Sequence, residues 1–154
     1  QDNCACNSKE LIKPGIKWMD SIGFRCTSFA YPYGAKYWFT DYLLGDQFDV
    51  IRGVSTLKNS VTIIDNDDVF YSRSGNRTVD AIGFDRISTV DTTMINAAIK
   101  RCKSNNEVLL LFGHVPSLDL SEDYSFDIEV LEHIIKSVKD NNLRFYLISQ
   151  LGGE

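Results

Sequence analysis

Glu107-Val108-Leu109-Leu110-Leu111-Phe112-Gly113-His114 is the stretch on which the fold turns. Its continuous apolar run predicts a strand buried on both faces, as in parallel sheets covered by helices above and below. The flanking segments agree. Before it, a helix is expected from about Val90 to Lys103, with Met94, Ile95, Ala98, Ile99 and Cys102 on one face. After it comes a polar loop with Pro116, Asp119, Glu122 and Asp123. Ile128, Leu131, Ile134, Ile135 and Val138 then mark a last long helix, and Leu143 to Ile148 a last strand.

Working back toward the start, Leu11, Ile12, Ile16, Met19 and Ile22 recur at helical spacing until Gly23. Pro14 lies inside that pattern, which predicts a start only near Ile12 or Lys13. A strand from Thr27 to Tyr31 runs into the turn Pro32-Tyr33-Gly34, and residues 35–44 read as a short aromatic helix stopped by Gly45. Strand-like pieces follow at Phe48 to Ile51, Val61 to Ile64 and Val69 to Tyr71, while 72–88 reads as polar and irregular. Strands alternating with helices predict an α/β fold with parallel pairing. In such folds chemistry gathers at the C-terminal ends of the strands, here the Tyr31-Pro32-Tyr33-Gly34 turn and Gly113-His114.

Composition limits the function. A chain of 154 residues, 44% hydrophobic and 24% charged, without repeats or low-complexity linkers, reads as a single domain over 1–154. Its net charge of −5 argues against nucleic acid or anionic lipid as partner, since both need a basic face. No apolar run approaches the roughly 20 residues of a membrane span. The opening residues Gln1-Asp2-Asn3-Cys4-Ala5-Cys6 have neither part of a signal peptide, as expected of a cytoplasmic chain or of a mature form. Cys4 and Cys6 are too close for a zinc knuckle and have no second pair, and Cys26 and Cys102 read as small core residues. Asn76-Arg77-Thr78 fits a glycosylation sequon, which matters only in a eukaryotic secretory route.

Few residues suggest chemistry. His114, behind a glycine that lets other groups approach, has the position of a general acid or base, or of a hydrogen-bonded rim histidine. His133, mid-helix, suits a surface or interface role. In the Tyr31-Pro32-Tyr33-Gly34 turn, proline sets one φ and glycine permits a positive one, so backbone N–H groups and tyrosine rings face outward. Such a turn can hold an oxyanion and flank a ligand, or it can be a tight turn over core aromatics. Asp65-Asn66-Asp67-Asp68 lacks the glycine and distant glutamate of a calcium loop and reads as a solvated turn. Asp85 is either a local partner of Arg86 or the group that orients His114.

Together Phe29-Ala30-Tyr31-Pro32-Tyr33-Gly34, Phe48-Asp49-Val50-Ile51-Arg52-Gly53, the run ending Phe112-Gly113-His114 and the closing unit from Leu131 to Leu151 resemble polysaccharide deacetylases of the NodB-homology type, carbohydrate esterase family four. The likeness covers nearly the whole chain from about residue 8. It implies a distorted (β/α) barrel, here partial or degenerate, in which a divalent metal (zinc, nickel or cobalt) activates water against an N- or O-acetyl group of a glycan. The implied partner is an acetylated oligo- or polysaccharide, and the implied location is extracytoplasmic. Carried onto this chain, Tyr31, Pro32, Tyr33 and Gly34 line the groove, the Tyr33 N–H helps hold the oxyanion, and His114 protonates the leaving group. The family's Thr-Phe-Asp-Asp-Gly and His-(Ser/Thr)-x-x-His motifs have no counterpart, so no metal ligands are assigned. The chain then reads as the C-terminal two-thirds of a longer deacetylase or as a degenerate domain that keeps the groove. An inactive glycan-binding module using Tyr31, Tyr33, Tyr37 and Trp38 is the alternative, and an α/β domain in which the motifs coincide by chance is a third reading.

Overall fold

The computed structural model describes residues 4–36, 38–57, 62–72, 77–118 and 122–151. Asn76, Val61, Asp119 and Tyr37 lie outside the described residues, as do the side chains of Cys4, Cys6 and Trp38. Its centre is a parallel sheet of β1 (Ser28–Ala30), β2 (Val50–Ser55), β4 (Thr78–Gly83) and β6 (Leu111–Phe112), in the order β1-β2-β4-β6. The sheet curls like half a barrel, so the α/β expectation holds at that coarser level. Two further strand pairs flank it: β3 (Phe70–Tyr71) runs antiparallel to β5 (Val108–Leu109), and β7 (Val115–Ser117) parallel to β8 (Ser125–Asp127).

Helices cover the outer face. α1 (Cys4–Ser21) and α2 (Trp38–Leu44) bury Ile12, Ile16 and Leu44 against Ile51, Phe48 and Tyr31. α3 (Thr92–Asn105) sets Ala98 against Ile82, Ile63 and Val69, and α4 (Ile128–Asp140) closes on α3 through Ile95, Ile99, Ile134 and Val138. Among the described residues the inner face has no α-helix. There Val50, Val79, Ala81 and Leu110 pack with Tyr71 and Leu151, joined by Phe112, Tyr146 and Ile148.

The structure corrects several expectations. α1 begins at Cys4, well before Ile12, with Pro14 inside it. A proline removes one bond of the ladder, and turns on both sides of it still propagate the helix. Its end is as expected: Gly23 is left-handed (φ 88°), and Phe24 N–H and Gly23 N–H donate to Met19 O and Asp20 O in a Schellman cap. Of the expected strand from Val61 to Ile64, the described part is instead a single 3-10 turn, Ile63–Asp65. Thr62 Oγ1 donates to Asp65 Oδ2 at 2.9 Å, and such short polar side chains compete with a sheet ladder.

Within the supposedly irregular 72–88 lies β4, the strand that pairs with both β2 and β6. Asp80 and the small residues of this strand disguise it, but Val79, Ala81 and Ile82 are buried. The apolar run 107–112 is two strands rather than one. Leu110 is the pivot, donating to Val69 O and accepting from Ile82 N–H, so the chain leaves β3 and joins β4 at one residue. The polar loop after it holds β7 and β8. Leu143 to Ile148 keeps a strand's alternation, with Tyr146 and Ile148 inward and Phe145 and Leu147 exposed, but it forms no ladder and ends in the 3-10 turn Ile148–Leu151.

Candidate functional site

β4 and β6 are adjacent and parallel, so the residues just past their C-terminal ends meet. After β4 comes Asp85, only 3% exposed, and after β6 comes His114. Asp85 Oδ1 accepts the His114 backbone N–H at 2.8 Å, and Oδ2 lies 2.8 Å from His114 Nδ1. One carboxylate therefore holds both the backbone and the ring of the histidine. Such an acceptor favours the proton on Nδ1 and leaves Nε2 as the nitrogen able to exchange protons with a ligand.

The loops that carry this pair are stitched together. Ser88 N–H donates to Asp85 O and Ser88 Oγ to Gly83 O, while Arg86 and Ile87 N–H donate to Ser125 O and Asp123 O. Gly113 is required here: a Cβ on it would stand 2.7 Å from Phe126 Cδ1 and 2.9 Å from Phe84 Cζ. The His114 ring is about half exposed and meets the edges of Phe112 and Tyr124, with centroids 5.6 and 5.3 Å away. Tyr124, in a polar loop without periodic pattern, gave no signal in the sequence.

The Tyr31–Gly34 turn sits at the same, C-terminal, end of the sheet but past β1, on the opposite edge. Three strand spacings separate the two motifs, about 14 Å across the sheet. Gly34 N–H donates to Tyr31 O and Ala35 N–H to Pro32 O. Tyr33 occupies the left-handed region (φ 56°, ψ 15°), and its side chain is fully exposed. Gly34 (φ 66°) lies so close to β2 that a Cβ would be 2.9 Å from Val54 Cβ. The Tyr31 ring, by contrast, is buried on the outer face, where its hydroxyl donates to Asp41 Oδ1 at 2.6 Å. Burial and the Asp41 carboxylate keep its phenol protonated well beyond the ordinary tyrosine range. The ring of Tyr31 is therefore a core side chain, unavailable for stacking on a ligand.

Between the motifs, on the inner face, Arg52 places its guanidinium 5.0 Å from the centre of the Phe112 ring. The sequence carried a signal for it, a charge within the apolar run Val50-Ile51-Arg52-Gly53-Val54. His133 lies at the interface of α3 and α4, with Nε2 3.0 Å from Asn96 Oδ1. Asp65 and Asp67 belong to successive 3-10 turns, and Asp67 pairs with Arg101 at 2.8 Å. Cys102 is a buried core thiol and Cys26 packs beside the Tyr31 cluster.

A second feature is a cleft of about 330 Å³ where Lys36 lies 3.4 Å from Asp41 and 3.6 Å from Asp80. Among the described residues no three His, Cys, Asp or Glu side chains gather as a metal site. No described helix is long and apolar enough to cross a membrane. Comparison of the chain with protein-family models, curated proteins and solved structures gives no match.

Proposed function

We propose that this chain is a carbohydrate-directed domain of the polysaccharide deacetylase type, acting at N- or O-acetyl groups of a glycan outside the cytoplasm. The observation that carries the reading is the grip of buried Asp85 on both the N–H and Nδ1 of His114. A histidine so held presents one nitrogen for proton transfer, as cleavage of an acetamide or acetate ester requires. Water adds to the acetyl carbon and gives a proton to Nε2 of His114, which passes it to the departing amine or alcohol as acetate is released, while Asp85 positions the ring. The rings of Tyr124 and Tyr33 flank the sugar. A divalent metal, when bound, would supply activation of the attacking water.

One observation favours the alternative, a glycan-binding module without catalysis. Tyr33 is a fully exposed aromatic held at positive φ, a conformation that costs a non-glycine residue free energy and that functional sites often retain. Acetate release and affinity, measured together on acetylated chito-oligosaccharide and acetylated xylan, separate the two. A deacetylase loses acetate release on His114→Ala and keeps its affinity. A binder releases no acetate, loses affinity on Tyr33→Ala and is indifferent to His114→Ala. Absence of both binding and release sinks the carbohydrate reading.

A further inference from the structure

The inner face of the sheet carries a charge that no described residue pairs with directly. Arg52 stands mid-β2, on the side that presents Val50, Val79, Ala81 and Leu110, and is half-buried. Among the described residues no oxygen forms a hydrogen bond or ion pair with its guanidinium, which lies over the Phe112 ring. By contrast Lys36 pairs with Asp41 and Asp80, Arg101 with Glu107 and Asp67, and Arg77 donates to Gly45 O. Asp80 acts on Arg52 through space, but its carboxylate is on the outer face, in the gap left by Gly53 and beside Lys36. Burial lowers the proton affinity of Arg52 below the ordinary arginine range, as expected of a cation that has lost water without gaining an acceptor.

Its position is central. Tyr31 N–H donates to Arg52 O, Gly34 packs on Val54 two residues further along, and the Phe112 ring that contacts Arg52 also contacts His114. Arg52 thus lies between the turn and the histidine. We propose that Arg52 is an anion-binding residue, and that the ligand of this face carries a carboxylate or another oxyanion which the guanidinium fork takes in two parallel hydrogen bonds. For a glycan this means an acidic one, with a uronate carboxylate or a phosphate substituent. The inference rests on the carbohydrate reading proposed above and adds the charge of the substrate.

Thermal unfolding in anion-poor buffer, with and without glucuronate, inorganic phosphate or neutral glucose, tests it. The wild type is expected to gain about 3 °C or more with a saturating oxyanion and nothing with glucose. A gain with glucuronate points to a sugar carboxylate, and a gain with phosphate alone to a phosphate group. Arg52→Met is expected to lose that gain and, without anion, to be at least as stable as the wild type, because it removes a half-buried charge with no direct partner among the described residues. Arg52→Lys, a second variant, keeps the charge without the fork and is expected to weaken binding about tenfold. His114→Ala keeps the full gain, so loss of acetate release with the anion response intact leaves this inference standing. A wild type indifferent to both anions, or an Arg52→Met variant that responds as the wild type does, overturns it.

Discussion

Gly113 has no room for a side chain. Alanine there meets Phe126 and Phe84 inside 3.0 Å, and because both rings are packed against each other neither can yield cheaply. Gly113→Ala should cost about 1–3 kcal/mol in chemical denaturation. Asp85→Asn is a different experiment, because the amide keeps the size but one of its two contacts must be poor. Acetate release is expected to fall about 100-fold or more, with the lost hydrogen bond visible as about 1–3 kcal/mol of stability. Tyr33 tests function against strain. Tyr33→Gly relieves the positive φ at the cost of greater freedom in the unfolded chain, so stability should stay within about 1 kcal/mol of wild type while glycan affinity is lost.

At the scale of elements, one arginine ties α3 to the strand that follows. Arg101 Nε and Nη2 donate to Glu107 at 2.8 and 3.0 Å, Nη1 donates to Ile64 O, and the guanidinium covers the Phe70 ring. The hydrogen bonds from Arg101 hold the Glu107 carboxyl below its ordinary range. A carboxylate favoured in the fold adds stability that is fully present above its unfolded pKa and is lost as pH falls through the lower, folded value. Glu107→Gln should therefore cost about 1–3 kcal/mol at neutral pH, and the difference from wild type should shrink as pH drops below the carboxylate range. Constant destabilisation down to strongly acid pH would contradict this.

The same scale explains what the sequence could and could not reveal. α3 and α4 were legible because their apolar spacing matches the burial they achieve, whereas β2, expected over Phe48 to Ile51, runs Val50–Ser55 and only its start was visible. β4 was not, since the packing of Asp80 over Gly53 is a pairing between strands that no local pattern contains. Nor could a continuous apolar run disclose that Leu110 divides it between two sheets. In the site, His114 stood out by its place after a strand, and Asp85 could be named but not chosen until the register brought β4 beside β6. Tyr124 reaches the histidine from a loop, and only the fold brings it there.

For the whole molecule, the parallel sheet puts two motifs more than seventy residues apart at one end of the strands, with Arg52 between them. The interior reports on the integrity of that arrangement. Cys102 lies among the buried residues of α3, and burial pushes its thiol up to about 11. Mass spectrometry after alkylation at mildly alkaline pH should find Cys102 unmodified in the native protein and modified together with global unfolding by denaturant. Rapid labelling under native conditions would mean that α3 opens on its own.

The central claim is that Asp85 holds His114 ready to exchange a proton with a glycan, and long-range ¹H–¹⁵N NMR of the imidazole tests it most directly. The Nδ1–H tautomer is expected in the free protein, with loss of that preference in Asp85→Asn and a shift of the Nε2 signal when acetylated chito-oligosaccharide is added. An Nε2–H tautomer unchanged by Asp85→Asn, with no response to the sugar, would contradict it and leave His114 a hydrogen-bonded residue of the rim.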